Sequence, residues 1–196
     1  MKRLIPLMTV LAWAGVAAAQ PAVELQPGAE LAIDGKSTVR DFTCHAQEVK
    51  AQLTPGNAEG SLALAQLGGA LRAVQLEIPV AKLDCANETM NEHMLKALLA
   101  AQHPTIRFRM SGYEVGAVKD GQVLLRIKGE LTMAGTTRPV ELQASGKAGL
   151  DGELRVRGRY TLRMTEWGVK PPTLMLGAMK VFDPVVIRFD FTLAQP

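Results

Sequence analysis

Two cysteines are the side chains in this sequence best suited to covalent chemistry. Cys44 and Cys85 are the complete set, and no Cys-x-x-Cys motif is present. An even number of cysteines favours a disulfide in an exported protein, and a bridge here would close a loop of about 40 residues, worth roughly 3–4 kcal/mol by chain entropy. Two buried free thiols and a redox-active pair remain as alternatives, because spacing alone does not separate them.

The remaining ionisable residues do not form a recognisable catalytic or metal-binding pattern. His45, His93 and His103 lack the spacing of paired metal ligands. The sequence has no Gly-x-Ser-x-Gly elbow, Gly-rich phosphate loop or His-Glu-x-x-His motif. The acidic candidates of the first half are typical of turns and helix caps, namely Asp34, Asp41, Asp84 and Glu88. We therefore expect no enzyme, no metal site and no cofactor.

The N-terminus resembles a secretory signal peptide. Lys2 and Arg3 precede an apolar run over 4–16, and the small residues 17–19 follow it. The run is shorter than the ~20 residues of a membrane-spanning helix. We expect cleavage between Ala19 and Gln20, a single domain over 20–196 and a periplasmic location.

Charge argues against one class of partner. The full chain carries a formal net charge of +3, and Lys2 and Arg3 supply two of those positive charges. The mature chain would therefore be nearly neutral, which is not the electrostatic signature of a nucleic-acid-binding protein.

Most of the chain alternates between apolar and polar residues with a period of two. Ile106, Phe108 and Met110 share one face of a segment that places Arg107 and Arg109 on the other. Similar segments recur about eight times between Gly- and Pro-rich turns, which predicts an all-β antiparallel sandwich or barrel. A barrel has the advantage of leaving no exposed strand edge. Eight strands enclose an interior that is filled by side chains or holds one small ligand.

One helix interrupts this pattern over 88–101. Thr89 and Glu92 have the spacing of a capping box. Met94 and Leu98 share one helical face, and Pro104 ends the helical segment before the next strand.

Several stretches in order resemble the YceI-like family, the lipocalin-like periplasmic proteins that bind polyisoprenoid lipids. They are "IDGKSTVRDFTC", "LLAAQHPTIRFRM", "GELTMAGTTRPVELQ", "EWGV" and "VFDPVVIRFDFTL", and the resemblance extends over 29–193. It implies an eight-stranded antiparallel lipocalin-like barrel, with one short helix capping an end and an isoprenoid lipid or isoprenoid quinone in the lumen. Lys36-Ser37 and Glu166-Trp167-Gly168 stand where many members have His-Ser and Asp-Phe-Gly.

The interior positions of the strands, the helix and the apolar segment 167–182 are our candidates for ligand contact. We expect the helix to close one end of the lumen and the cysteines to tie it to an early strand. The helix could instead cover a solid core, and the segment 167–182 could pack outside the barrel. The candidate ligand-binding residues are Phe42, Leu76, Met94, Leu98, Ile106, Phe108, Met110, Leu125, Ile127, Leu142, Tyr160, Trp167, Met175, Leu176 and Phe182.

These inferences predict a non-enzymatic periplasmic carrier of a long-chain isoprenoid lipid or quinone. Burial of the apolar tail supplies the affinity, and Tyr160 or Ser37 at the mouth would add specificity. The arginines at 155, 157, 159 and 163 form a charged outer face that could make transient contact with a membrane surface. Two alternatives are an interaction module with a filled barrel and a thiol-redox protein that uses Cys44 and Cys85.

Overall fold

The computed structural model describes residues 23–56, 61–149, 151–174 and 178–195. The predicted signal peptide and its cleavage site between Ala19 and Gln20 lie outside the described residues. Within the described ranges, no helix combines the length and apolar character needed to cross a bilayer.

The protein is mostly β, with one α-helix, α1, at Glu88–Ala97. Three short 3-10 helices lie at Leu64–Gly69, Val80–Lys82 and Met164–Trp167. The strands in chain order are β1 Glu24–Leu25, β2 Glu30–Gly35, β3 Phe42–Ala46, β4 Lys50–Pro55, β5 Leu71–Pro79, β6 Leu83–Asp84, β7 Thr105–Val115, β8 Gln122–Met133, β9 Thr136–Ala148, β10 Leu154–Arg163, β11 Thr173–Leu174, β12 Met179–Lys180 and β13 Pro184–Ala194.

Ten of these strands form one curled antiparallel sheet in the order β4-β5-β7-β8-β9-β10-β13-β2-β3-β6. β1 pairs with β13 beside this path, and β11 and β12 form a separate hairpin. β3 and β4 are separated in sequence only by 47–49, so the chain itself connects β4, at one end of the curl, to β3 near the other.

The predicted count of eight strands is not confirmed. The chain leaves the ladder between β3 and β4, where the Gln47 amide donates to the Lys82 carbonyl. The two-residue strand β6 pairs with β3. Neither feature produces a long period-two pattern, so alternation in the sequence does not reveal them.

The strand registers place the connections at two opposite ends of the curl. Pairs such as Gly35 with Phe42, Pro79 with Thr105 and Arg163 with Pro184 bring the segments 36–41, 80–104, 164–174 and 178–183 to one end. We call this the helix end, because α1 lies within it. The 3-10 helix Leu64–Gly69 covers the opposite end, which we call the plug end.

Helix α1 begins at Glu88, as predicted, but its N-cap lies two residues before the predicted cap, Thr89. Asn87 is the N-cap, and its side-chain oxygen accepts a hydrogen bond from the Met90 amide at 2.9 Å. The predicted Thr89–Glu92 capping box is therefore wrong, since Asn87 is an equally strong capping residue type in the right backbone conformation. Helix α1 also ends at Ala97, earlier than the predicted limit of 101, because Leu99 adopts a left-handed φ of 53°.

A disulfide joins Cys44 and Cys85, as predicted. Cys44 lies on β3, and Cys85 directly follows β6 at the approach to α1. The Cys85 amide donates to the Asn91 side chain at 2.8 Å, and the Asn91 amide group donates to Asp84 at 2.9 Å. The covalent bridge and these hydrogen bonds together fix the start of α1 to the sheet.

Candidate functional site

A cavity of about 530 Å³ lies inside the curled sheet. This volume falls within the ~300–1,000 Å³ of typical small-molecule sites. Leu125 and Met133 line it from the same strand, β8. They are eight positions apart, so the lined part of that strand is about 27 Å long at the usual rise per residue. The cavity is long enough to hold a chain-shaped ligand.

The interior is hollow rather than filled with side chains. Eight of the half-buried inner-face residues that line the cavity pack against the buried core and still keep part of their surface exposed. They are Leu31, Ile33, Val74, Leu76, Ile127, Leu142, Tyr160 and Ile187. The inner face of the alternating sheet thus forms a continuous apolar wall and leaves a cavity inside it.

Most of the predicted ligand-binding residues lie on the wall of this cavity. They are Phe42, Leu76, Met94, Leu98, Ile106, Phe108, Met110, Leu125, Ile127, Leu142 and Tyr160. Their inner-face positions follow from the period-two alternation of the strands and the helical spacing of α1.

The four predicted residues from the segment 167–182 are placed differently. Trp167 is not on the cavity wall: it is 1% exposed, and its indole N–H donates to the Leu131 carbonyl at 3.0 Å. Phe182 is also off the wall and is 43% exposed on the outside. Met175 and Leu176 lie outside the described residues. This segment is not periodic, so its sequence did not indicate which side chains point inward.

Sequence reasoning missed other wall residues. Ile187, Phe189 and Phe191 of β13 line the cavity, as do Leu31 and Ile33 of β2. The same alternation that identified β7 runs through both strands and was sufficient to find them. Neither Cys44 nor Cys85 was predicted on the wall, although both line it. No sequence signal distinguishes a cysteine that faces a cavity from one that faces a packed core.

The cavity opens at the helix end. Its exposed lining residues all belong to the loop 36–41, the start of α1 or the strand β12, and they are Val39, Arg40, Asn87, Thr89 and Lys180. Arg40 and Lys180 are the lysine and arginine residues among the lining residues, and no lining residue is Asp or Glu. The mouth is therefore basic, whereas the wall behind it is apolar.

Helix α1 forms one side of the mouth through its methionines. Met90, His93 and Met94 line the cavity. The sulfur of Met94 lies 3.8 Å from the sulfur of Cys85. Methionine is flexible and polarizable, so this side of the mouth can adapt to differently shaped apolar groups.

The plug end is sealed by the 3-10 helix Leu64–Gly69. Leu67 is 2% exposed and lies on the cavity floor. The Tyr113 hydroxyl donates to the Leu67 carbonyl and accepts a hydrogen bond from the Leu71 amide at 3.2 Å. These bonds attach the plug to β7 and close this end of the cavity.

The cavity wall offers little acid–base chemistry. Burial raises the pKa of the Tyr160 phenol. Within the described ranges, no group of three or more His, Cys, Asp or Glu side chains is arranged to hold a metal ion. The apolar wall of the cavity is suited to burying an apolar chain.

Comparison with known families identifies one match. The family model described as the YceI-like domain matches residues 31–193, which is most of the chain. A search of curated proteins found no match.

Comparison with solved structures shows the same lipocalin-like fold. BcnA of Burkholderia cenocepacia aligns with a TM-score of 0.65 at 16% identity, over 85% of this chain and 96% of its own. A polyisoprenoid-binding domain of Saccharophagus degradans, implicated in plant cell wall breakdown, aligns with a TM-score of 0.65 at 14% identity, over 90% and 99%. The YceI protein of Campylobacter jejuni aligns with a TM-score of 0.54 at 16% identity, over 96% and 98%.

Proposed function

The chain belongs to the YceI-like family, and from that premise we propose that it is a periplasmic carrier of a long-chain isoprenoid lipid or isoprenoid quinone. The observation that carries this proposal is the elongated apolar cavity, whose exposed lining residues among those described lie at the helix end. The fold similarity to a polyisoprenoid-binding domain supports the same class of ligand.

Burial of the tail supplies the binding free energy. Each buried methylene contributes about 0.8 kcal/mol, so one five-carbon isoprene unit contributes roughly 4 kcal/mol before the costs of ordering the chain. The tail lies against the aliphatic wall with its tip toward Leu67, and the headgroup stays near Arg40 and Lys180 at the mouth. Tail length is therefore selected by the depth of the cavity.

The periplasmic location rests on two features of the chain. The N-terminal sequence is typical of a secretory signal peptide. A disulfide such as Cys44–Cys85 persists in an oxidising compartment. Fractionation of cells that express the full chain tests this location, and a cytoplasmic pool of uncleaved protein would contradict it.

The bridge is better suited to a structural role than to thiol chemistry. Cys44 is 2% exposed and Cys85 is 8% exposed, so a protein thiol in solution has no direct access to either sulfur. This burial counts against the redox alternative.

Mass spectrometry of the exported protein, purified without detergent, tests the proposal. We expect a stoichiometric adduct under native conditions that is lost on denaturation and has the mass of a prenyl lipid or quinone. The absence of an adduct, even after incubation with prenyl lipids, would contradict the proposed function.

A pair of neighbouring substitutions provides the matched control. Leu142 lines the cavity on β9, whereas Gln143 is exposed on the outer face of the same strand. Leu142→Trp should fill the lumen and abolish the adduct, and Gln143→Trp should retain it. Equal retention by both variants would show that the ligand is not bound in this cavity.

A further inference from the structure

Two chain segments beside the mouth are held together as a small platform, which we define as residues 36–40 and 178–182. Ser37 and Val181 form an isolated β-bridge. The Thr38 amide donates to the Lys180 carbonyl at 3.0 Å, and the Phe182 amide donates to the Lys36 carbonyl at 2.9 Å. The Thr38 hydroxyl also donates to the Ala178 carbonyl at 3.1 Å and accepts from the Lys180 amide at 3.1 Å. These bonds hold the two segments in a fixed arrangement.

The platform exposes two large apolar side chains to solvent. Val39 is 61% exposed and Phe182 is 43% exposed. Single exposed apolar residues are common on protein surfaces and need no explanation. Here the two residues occupy segments that are hydrogen bonded to each other, at the rim of an apolar cavity, where an apolar surface can be shared with a partner.

Three cations lie on the same two segments as these apolar residues. Lys36, Arg40 and Lys180 are exposed, and none forms an ion pair with another described residue. The nearest acidic residues in sequence are Asp34, Asp41 and Asp183, and the Asp34 carboxylate is paired with Arg188. The Asp183 carboxylate is already used, since it accepts hydrogen bonds from the Thr165 amide and hydroxyl at 2.9 and 2.8 Å. The platform therefore combines exposed apolar groups with unpaired positive charge.

We propose that this platform docks onto the surface of a bilayer that contains anionic phospholipids. Apolar side chains that insert at the headgroup boundary, flanked by lysine and arginine, are the usual physical basis of reversible membrane binding. Docking in this orientation presents the mouth to the membrane, so that an isoprenoid tail passes between bilayer and cavity without crossing water. This inference rests on the proposed function. It places the membrane contact at the helix end, whereas the sequence pattern predicted it at the arginines of β10.

Vesicle flotation tests the docking. The wild-type chain should float with vesicles of phosphatidylcholine and phosphatidylglycerol, and binding should weaken as salt screens the charges. Lys36→Gln, Arg40→Gln and Lys180→Gln together should lower partitioning on the order of a hundredfold, about fivefold for each cation. Val39→Ser with Phe182→Ser should lower it by about tenfold or more.

The plug end supplies the matched control. Leu124 is 75% exposed there, and Lys119 lies on the neighbouring loop. Leu124→Ser with Lys119→Gln should float like the wild type. Equal loss of flotation in this control and in the platform variants would overturn the proposal, and so would full flotation of the platform variants. A platform that instead mediates a stable dimer, with no flotation, would also overturn it.

Loading with a prenyl lipid from detergent solution separates this inference from the proposed function. A variant confined to Lys36→Gln and Phe182→Ser should still acquire the lipid adduct, because neither residue lines the cavity. An adduct without flotation of the wild type would remove the docking and leave the carrier function intact. Platform-dependent flotation without any adduct would remove the carrier function and leave the membrane contact.

Discussion

The two ends of the curled sheet differ in whether they cover the apolar cavity or leave it open to solvent. At the plug end, Leu67 is 2% exposed and Ala70 is fully buried, and the Tyr113 hydroxyl holds the 3-10 helix in place. At the helix end, the cavity reaches solvent between α1, the loop 36–41 and β12. One end thus closes the cavity, and the other forms its mouth.

The side chains at the two ends suit these tasks. The plug end packs branched aliphatic residues such as Leu62, Leu67 and Leu154 into one cluster, which has few alternative packings. Around the mouth, Met90, Met94 and Met179 line the cavity, and methionine adapts to an irregular partner at low cost. The contrast suggests that stability is concentrated at the plug end and adaptability at the mouth. The following predictions test that division.

Removal of the disulfide should have the largest effect, because it is the covalent anchor of the helix end. Cys44→Ala with Cys85→Ala should lower the free energy of unfolding by about 3–4 kcal/mol, since the bridge closes a long loop. Chemical denaturation measures this change. The variant should also release a bound lipid faster, as α1 loses its attachment to β3. A free energy of unfolding equal to that of the wild type would show that α1 is held without the bridge.

Truncation of the plug should come next. Leu67→Ala should cost about 3 kcal/mol, within the usual range for a buried leucine. Met90→Ala at the mouth should cost less than about 1 kcal/mol, because Met90 is only half-buried. Parallel denaturant titrations give both values. Equal losses would break the division between a stabilising end and an adaptable end.

The hydroxyl that attaches the plug can be removed without changing the wall. Tyr113→Phe should cost about 1–2 kcal/mol, since it leaves the Leu71 amide without its partner and removes one bond to the Leu67 carbonyl. Thermal unfolding measures the loss. Hydrogen exchange should increase in the plug and not in α1, and a uniform increase would mean that Tyr113 does not act locally.

The outer wall between the two ends should respond weakly to pH. Hydrogen bonds from Arg155 hold the pKa of Asp190 below its usual range, and Arg157 contributes to the same shift. The pair therefore stabilises the fold above the unfolded pKa of about 3.9, and this stability is lost as the pH falls through the lowered folded value.

Because Arg155 and Arg157 are half exposed, the effect should stay under about 1 kcal/mol. Asp190→Asn should match the wild type at low pH and be slightly less stable at neutral pH, as measured by denaturation at several pH values. A variant that loses most stability in acid would reverse the sign expected from the lowered pKa.

Sequence reasoning was most successful where the residue pattern is regular. Alternation placed Ile106, Phe108 and Met110 on the inner face, and the structure places all three on the cavity wall. The two cysteines were correctly paired. The pattern failed in the segment 167–182, where Trp167 is buried away from the cavity and Phe182 is exposed, because an irregular segment has no period from which to infer direction.

The sequence by itself determined the antiparallel sheet, its inner face, the interrupting helix and the family. These follow from local periodicity and from motifs that each occupy a short stretch of chain. Only the tertiary structure decided that the interior is a cavity, which end is open and that the disulfide lies on the wall. The physical reason is that cavity volume is the difference between the space the curled sheet encloses and the volume of all inward side chains, and no single strand contains that difference.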